Sequence, residues 1–378
     1  MMLDRFRFLT LVMGILLAWG CAKSSASGSG LAPRTDWRLA PVAVAASQNA
    51  EQLAGLSGKS TVEWQVSYPG DPWLAVRVPD GLEGPAMLTF SYPEQPVNVA
   101  VEAAFSHDST DGSDGTWKAA APRQLGKRLD KVVLNPADGT WLRVRMLRLD
   151  KSLRPVEFTL TNVGLYELSE TELNDYWVVL GASIQAQSIR QETFHAMVAE
   201  RYPDYDPVIF NTAVSGWTTT NLLNKLPEIL ADHPHASYCV IHIGGNNVSG
   251  GRPYPGGADR LQGELVQILE MIRAAGKTPI LSRLSYRAYK EGNGRPGVPP
   301  EENGSGPYVE NIFDPLIAQY CPLFYDETTG RGVVDAYTWF KEQPEELSGD
   351  GIHVNSDGAR SWNRLWAEHA GGVIYGRD

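Results

Sequence analysis

Three cysteines in 378 residues are too few for a disulfide framework. Cys21 closes an N-terminal apolar run, and Cys239 lies in YCVIHI, where a free thiol packs as a small hydrophobe; only Cys321 is left to pair with it. Clustered lysine and arginine are equally scarce. The 33 basic residues face 44 acidic ones, giving a formal net charge of −11. Phosphate-binding surfaces need clustered cations, so no nucleic acid is expected as a partner. Small molecules or neutral polymers suit the chain better. The Gly-x-x-x-x-Gly-Lys phosphate loop is missing, and no Gly-x-Ser-x-Gly elbow surrounds Ser183, which disfavours an ordinary α/β-hydrolase. His233 and His235 in DHPHAS, with His242 nearby, have no carboxylates or thiols at recognised zinc spacing, so no metal is expected.

The leading apolar run, residues 8–20, is too short to span a bilayer as a helix but fits the core of a signal peptide, with Arg5 and Arg7 before it. It ends in LLAWGC, which resembles a bacterial lipobox with Ala18 where Leu is preferred. Lipobox processing and ordinary secretory cleavage both leave Cys21 first. Lipidation is the expectation, because an unmodified terminal thiol in an oxidising compartment is a liability. Residues 1–21 then form a lipoprotein signal peptide, and 22–35, opening AKSSASGSG, a flexible tether. The expected location is outside the cytoplasm, held to a membrane by the N-terminal lipid.

What remains, 43% apolar and 20% charged over the whole chain, is long enough for two domains. Residues 36–170 carry short β-branched and aromatic runs such as STVEWQVSY, WLAVRV, AMLTFSY and TWLRVRMLRL, separated by PDGLEGP and DSTDGSDGT. Without helices of any length, they predict an antiparallel β-sandwich of jelly-roll type. From 171 to 378 the rhythm becomes strand, loop, helix, with near-continuous apolar strands (YWVVLGAS, PVIFNTAV, ASYCVIHIGG, TPILSRLS). That is a parallel sheet covered on both faces, an α/β domain whose ligands bind at the carboxyl ends of the strands.

Those strand ends carry Ser183, Gly216 in NTAVSGW and Asn246 in HIGGNN, and Asp350 with His353 follow in SGDGIHVN. Serine needs an imidazole to take its proton, the imidazole needs a carboxylate to fix its tautomer, and the developing oxyanion needs fixed donors. Each block alone is ambiguous. A serine after a strand is commonly a helix N-cap, and Gly-Asn runs suit tight turns.

In order and spacing, GAS at 181–183, Gly216, GGNN at 244–247 and DGIH at 350–353 resemble the blocks of the SGNH hydrolases, or GDSL-type esterases. The resemblance covers about 200 residues, roughly 171 to the end. It implies a flavodoxin-like three-layer α/β/α fold, Ser183 as nucleophile, His353 as base and Asp350 as its orienting carboxylate. Ser183 N–H, Gly216 N–H and the Asn246 side chain would form the oxyanion hole. The layout of a β-sandwich before this domain is similar to that of certain two-domain carbohydrate esterases. Two positions depart from the pattern: Ala182 stands where the first block has Asp, and Asn247 where the third ends in Asp. Neither is a triad member.

The resulting expectation is an esterase needing no cofactor, which cleaves a small acyl group such as acetyl from a carbohydrate through an acyl-enzyme on Ser183. A glycan-binding lipoprotein with a decayed site, and an acyltransferase using the same serine, are the alternatives. The stretch 286–307 is expected either as one wall of the pocket or as a solvated surface loop, without a catalytic role, and 250–257 (GGRPYPGG) is a further candidate for the pocket lining.

Overall fold

A computed structural model describes residues 37–376 apart from 68–70, 83, 93–98, 120–123, 126–128, 149–156, 169–175, 206, 249–256 and 288–305. Cys21, the export segment, the tether, the boundary at 170/171 and most of both expected pocket loops lie outside the described residues.

The N-terminal part is built from alternating strands. β1 (Ala43–Ala46), β3 (Trp73–Arg77), β5 (Val99–Ser106) and β9 (Trp141–Arg148) form one antiparallel sheet in the order β1-β3-β9-β5, with short β6 (Lys118–Ala119) and β7 (Gln124–Leu125) on β5. The second sheet, β2-β10-β4-β8, joins β2 (Val62–Ser67), β4 (Ala86–Ser91), β8 (Leu129–Leu134) and β10 (Glu157–Glu167). Consecutive long strands fall in alternate sheets, the winding of a jelly-roll-type sandwich. Period-2 patterning explains the shared core. In β9, Leu142, Val144 and Met146 are fully buried against Trp64, Leu88 and Phe90 of the opposite sheet. On the outer side of β9, the Arg143 guanidinium lies 3.9 Å from the centre of the Trp117 ring. One expectation needs correction: Ala50–Gly58 forms a nine-residue 3₁₀ helix. Its anchors, Leu53 and Leu56, are spaced for three residues per turn, and two apolar positions are too few to register as periodicity in the sequence.

In the C-terminal domain, β11 (Tyr176–Gly181) lies between β12 (Val208–Asn211) and β13 (Tyr238–His242), and β14 (Thr278–Leu281) pairs with β13. All these pairings are parallel, and the order β12-β11-β13-β14 is the flavodoxin-like one. Its topological switch point falls between β11 and β13, the strands that lead to Ser183 and Asn246. Helix α3 (Thr219–Asp232), which precedes the one-turn α4 (Gly245–Val248), packs on α5 (Gly257–Ala274), which buries Leu261, Leu265, Ile268, Leu269 and Ile272 as one stripe. Short α1 (Ser183–Ser188) and α2 (Gln191–Arg201) pack against the C-terminal helix at 356–364.

Beyond β14, Arg283 is buried at 2% exposure and holds two later segments. It donates to both Asp314 carboxylate oxygens at 3.0 and 3.1 Å and, through Nη1, to both Asp335 oxygens at 2.7 Å. Asp335 also caps the helix Ala336–Glu342 by accepting from Thr338 N–H at 2.9 Å.

Candidate active site

Ser183 is the first residue of α1, and Ala182 before it is the N-cap, with no side-chain capping bond. The serine hydroxyl is therefore not spent on the helix. It lies 2.8 Å from His353 Nε2, across 170 residues of chain. The sharp exit from β11 depends on Gly181, because a Cβ there would run into the His242 carbonyl and the Gln185 side chain.

His353 and Asp350 are set by one tight turn. Gly351 takes φ 69°, a conformation glycine adopts without strain, and Ser348 N–H donates to the His353 carbonyl at 2.7 Å. His353 Nδ1 is 2.6 Å from Asp350 Oδ2. The other Asp350 oxygen accepts from Ile352 N–H and His353 N–H at 2.9 Å each and from the Ser348 hydroxyl at 2.7 Å. Partial burial pushes the Asp350 carboxyl up, but the bonds from His353, Ile352 and Ser348 outweigh it and hold the group well below the usual range. A carboxylate on Nδ1 fixes that proton there, leaving Nε2 as the acceptor facing Ser183. The arrangement suits deprotonation of the serine.

The two remaining loops are tied to this centre. Val214 N–H donates to the Gly181 carbonyl at 3.2 Å, and Asn246 Nδ2 to the Trp217 carbonyl at 2.9 Å. Between them sits Gly216, exposed, at φ 84°, with open space where a Cβ would stand. Among the described residues its N–H has no hydrogen-bond acceptor. The structure thus brings Ser183, Asp350 and His353 into one hydrogen-bonded chain and sets Gly216 and Asn246 on the adjoining loops.

Asn247 departs from the family pattern for a visible reason. Buried at 2% exposure, it accepts from Thr219 N–H at 3.1 Å and donates to Thr219 Oγ1 at 2.6 Å. Thr219 Oγ1 in turn donates to the buried carboxylate of Glu264, which also accepts from Thr220 and Arg260. The amide thus caps α3 and completes a donor chain ending on Glu264. An aspartate at 247 would compete with Glu264 for the one hydroxyl proton and add like charge. Asn247→Asp, although it restores the family residue, should therefore destabilise the fold by about 1–3 kcal/mol, read as a lower urea midpoint. Unchanged stability would refute the chain.

His242, on β13, is buried edge-on to Trp362 with Nδ1 2.8 Å from the Ser282 hydroxyl. Burial, and then the nearby Arg287 charge, push its pKa down from 6.5 to about 3. Between those values the unfolded chain binds a proton that the folded chain refuses, so stability falls as pH drops from 6.5 towards 3. The slope contributed is at most about 1.4 kcal/mol per pH unit. His242→Gln should flatten this acid limb in urea melts between pH 7 and 4; an unchanged slope would assign the limb to other groups.

His233 bonds to the buried Tyr176 hydroxyl and faces Asp232 at 3.4 Å. Among the described residues no group of three or more His, Cys, Asp or Glu side chains is arranged to hold a metal. Sequence reading passed over Ser348 and Arg287. The first is two residues before Asp350; the second lies six residues past β14, at the carboxyl end of the sheet, which was the available signal.

Residues 179–360 match the family model described as GDSL-like Lipase/Acylhydrolase. No curated protein sequence matches the chain. Among solved structures, protein YXIM from Bacillus subtilis is 15% identical, over 83% of this chain and 85% of that one, with a TM-score of 0.44. A lipase/acylhydrolase from Enterococcus faecalis is 21% identical, over 52% and 95%, at 0.41. An acetylxylan esterase, Axe2 from Geobacillus stearothermophilus, is 17% identical, over 52% and 94%, at 0.41.

Proposed function

Because residues 179–360 are a GDSL-like lipase/acylhydrolase domain, of an SGNH-type esterase, we propose that Ser183, His353 and Asp350 are its catalytic triad. The observation that carries this reading is the unbroken chain from Ser183 Oγ through His353 to Asp350, 2.8 and 2.6 Å. In it, His353 Nε2 takes the Ser183 proton as Oγ attacks the ester carbonyl. Asp350 keeps the imidazole in the useful tautomer and stabilises the imidazolium. Ser183 N–H, Gly216 N–H and Asn246 Nδ2 receive the oxyanion. His353 then protonates the leaving alcohol, and water, deprotonated by the same nitrogen, releases the acid from Ser183.

The substrate of this reading is a small acyl ester, such as acetyl, on a carbohydrate. The space beside Gly216 supports it, since among the described residues nothing lies within 4 Å of the position a Cβ there would take. Acetate release from acetylated xylan, with p-nitrophenyl acetate as the neutral reference and chelator present, tests it. Hydrolysis of the small ester alone would leave the serine chemistry and remove the glycan. Transfer of acetyl to an added sugar in preference to water would identify an acyltransferase, and glycan binding without turnover a binding protein.

The N-terminal segment fits the same setting. Residues 1–21 would direct export and Cys21 would carry the lipid that holds the enzyme to a membrane, with 22–35 as tether. Mass analysis of the N-terminal peptide decides between a thioether-linked lipid on Cys21 and a free thiol.

A further inference from the structure

Two arginines follow β14, and the fold treats them in opposite ways. Arg283 is spent entirely on Asp314 and Asp335. Arg287, four residues on, reaches back to the HIGGNN turn, where its Nη2 fills the space a Cβ on Gly245 would need. That places the guanidinium against the residue before Asn246. Among the described residues it has no hydrogen-bond or ion-pair partner, and it is partly buried. Its charge is felt by Asp350 on one side and by His242 beneath it.

A partly buried guanidinium that meets no protein acceptor among the described residues carries a desolvation cost that nothing there cancels. Burial pushes its pKa down from 12.5 to about 10, with Asp350 acting in the opposite direction. It remains charged at neutral pH. Beside a triad whose histidine must become a cation, this positive charge, offset only in part by Asp350, opposes catalysis. Both costs are removed when an anion lies on the guanidinium. The planar fork, with paired parallel N–H groups, matches a carboxylate. On a chain of net charge −11, such a local cation is also what an anionic substrate needs to approach.

Resting on the esterase reading above, we propose that Arg287 is a specificity determinant that pairs with a carboxylate carried by the ester substrate near its scissile bond. The substrate class is therefore an acidic ester, with the carboxylate either on the sugar, as in an acetylated uronic acid, or on the acyl group, as in a dicarboxylic half-ester. Arg287 binds the substrate; it exchanges no proton.

The test compares kcat/KM within two pairs of probes. Acetylated polygalacturonate against acetylated xylan varies the charge on the alcohol side; 4-nitrophenyl hydrogen glutarate against 4-nitrophenyl butyrate varies it on the acyl side. The wild-type protein should prefer the charged member of one pair, and that pair identifies the source of the carboxylate. In Arg287→Gln the charged-to-neutral ratio should fall about tenfold to a hundredfold, mainly through KM. Arg287→Lys, which keeps the charge but loses the fork, should fall in between. A ratio unchanged in Arg287→Gln overturns the proposal, whatever happens to the absolute rates, because a supporting role for the GGNN turn would slow both members alike. If Arg287→Gln does not fold, the wild-type ratio decides: it should decline between about 0.05 and about 0.5 M salt, and a ratio at or below unity overturns the proposal. The two readings fail separately. Turnover of neutral esters lost in Ser183→Ala supports the esterase whether or not Arg287 selects charge. If wild type turns over none of the probes, calorimetric binding of oligogalacturonate that is lost in Arg287→Gln still supports the carboxylate site, and no binding overturns it.

Discussion

Ser183→Ala is expected to lower kcat by about 10⁴- to 10⁶-fold on any ester the enzyme accepts, with KM little changed. In the proposed mechanism the hydroxyl is the atom that bonds to carbon, and without it the neighbouring donors can only stabilise attack by water in its place. Fold and stability should be preserved, because the side chain caps no helix. Reaction with a fluorophosphonate probe should disappear in the same variant. Asp350→Asn should cost about 10⁴-fold in kcat by a different route. An amide turned to keep its oxygen on Ile352 and His353 N–H presents NH₂ to His353 Nδ1. The proton is then driven to Nε2, and the base can no longer accept from Ser183. Full activity in Ser183→Ala, on purified protein, would sink the triad.

Arg283→Met should cost about 3–5 kcal/mol of stability, the largest expected change outside the catalytic centre. Replacing the guanidinium leaves Asp314 and Asp335 facing each other in space closed to solvent on the Asp314 side, 7% exposed. Burial already pushes the Asp314 carboxyl up even with Arg283 in place. Without the arginine it should rise further, so Asp314 stays protonated to higher pH than in the unfolded chain. The sign follows: the deficit of the variant is greatest at neutral pH and shrinks as pH falls and Asp314 takes its proton. Urea melts at pH 7 and pH 5 check this, and Arg283→Met combined with Asp314→Leu should recover much of the loss. A deficit independent of pH would point to lost packing instead.

Particular residues show how far the sequence reaches. The strand ends could be read because a buried parallel strand is a plain apolar run and its exit is marked by Gly or Asn, so Ser183, Gly216 and Asn246 stood out. Asp350 and His353 are three residues apart and carried their own relation. The role of Asn247 was hidden, since its partner Thr219 lies 28 residues before it and Glu264, which Thr219 bonds in turn, lies 45 residues after Thr219, so only the packing of α3 on α5 brings them together. Arg283 and Arg287 look alike in SRLSYR; only the folded chain shows that one is saturated with carboxylates and the other is not. The 3₁₀ helix at Ala50–Gly58 was missed because its contacts lie in the sandwich it covers and leave little periodicity of their own.

Cys239 and Cys321 are both free and buried, and burial pushes each thiol up to about 12. In the folded protein neither offers a thiolate at neutral pH, and neither is within reach of a reagent. On unfolding, both return to ordinary thiol chemistry. With Cys21 replaced by serine, the chain therefore carries its own clock. The rate at which a thiol reagent modifies two groups per molecule, measured without denaturant, reports how often the α/β domain opens far enough to uncover β13 and the segment after residue 320.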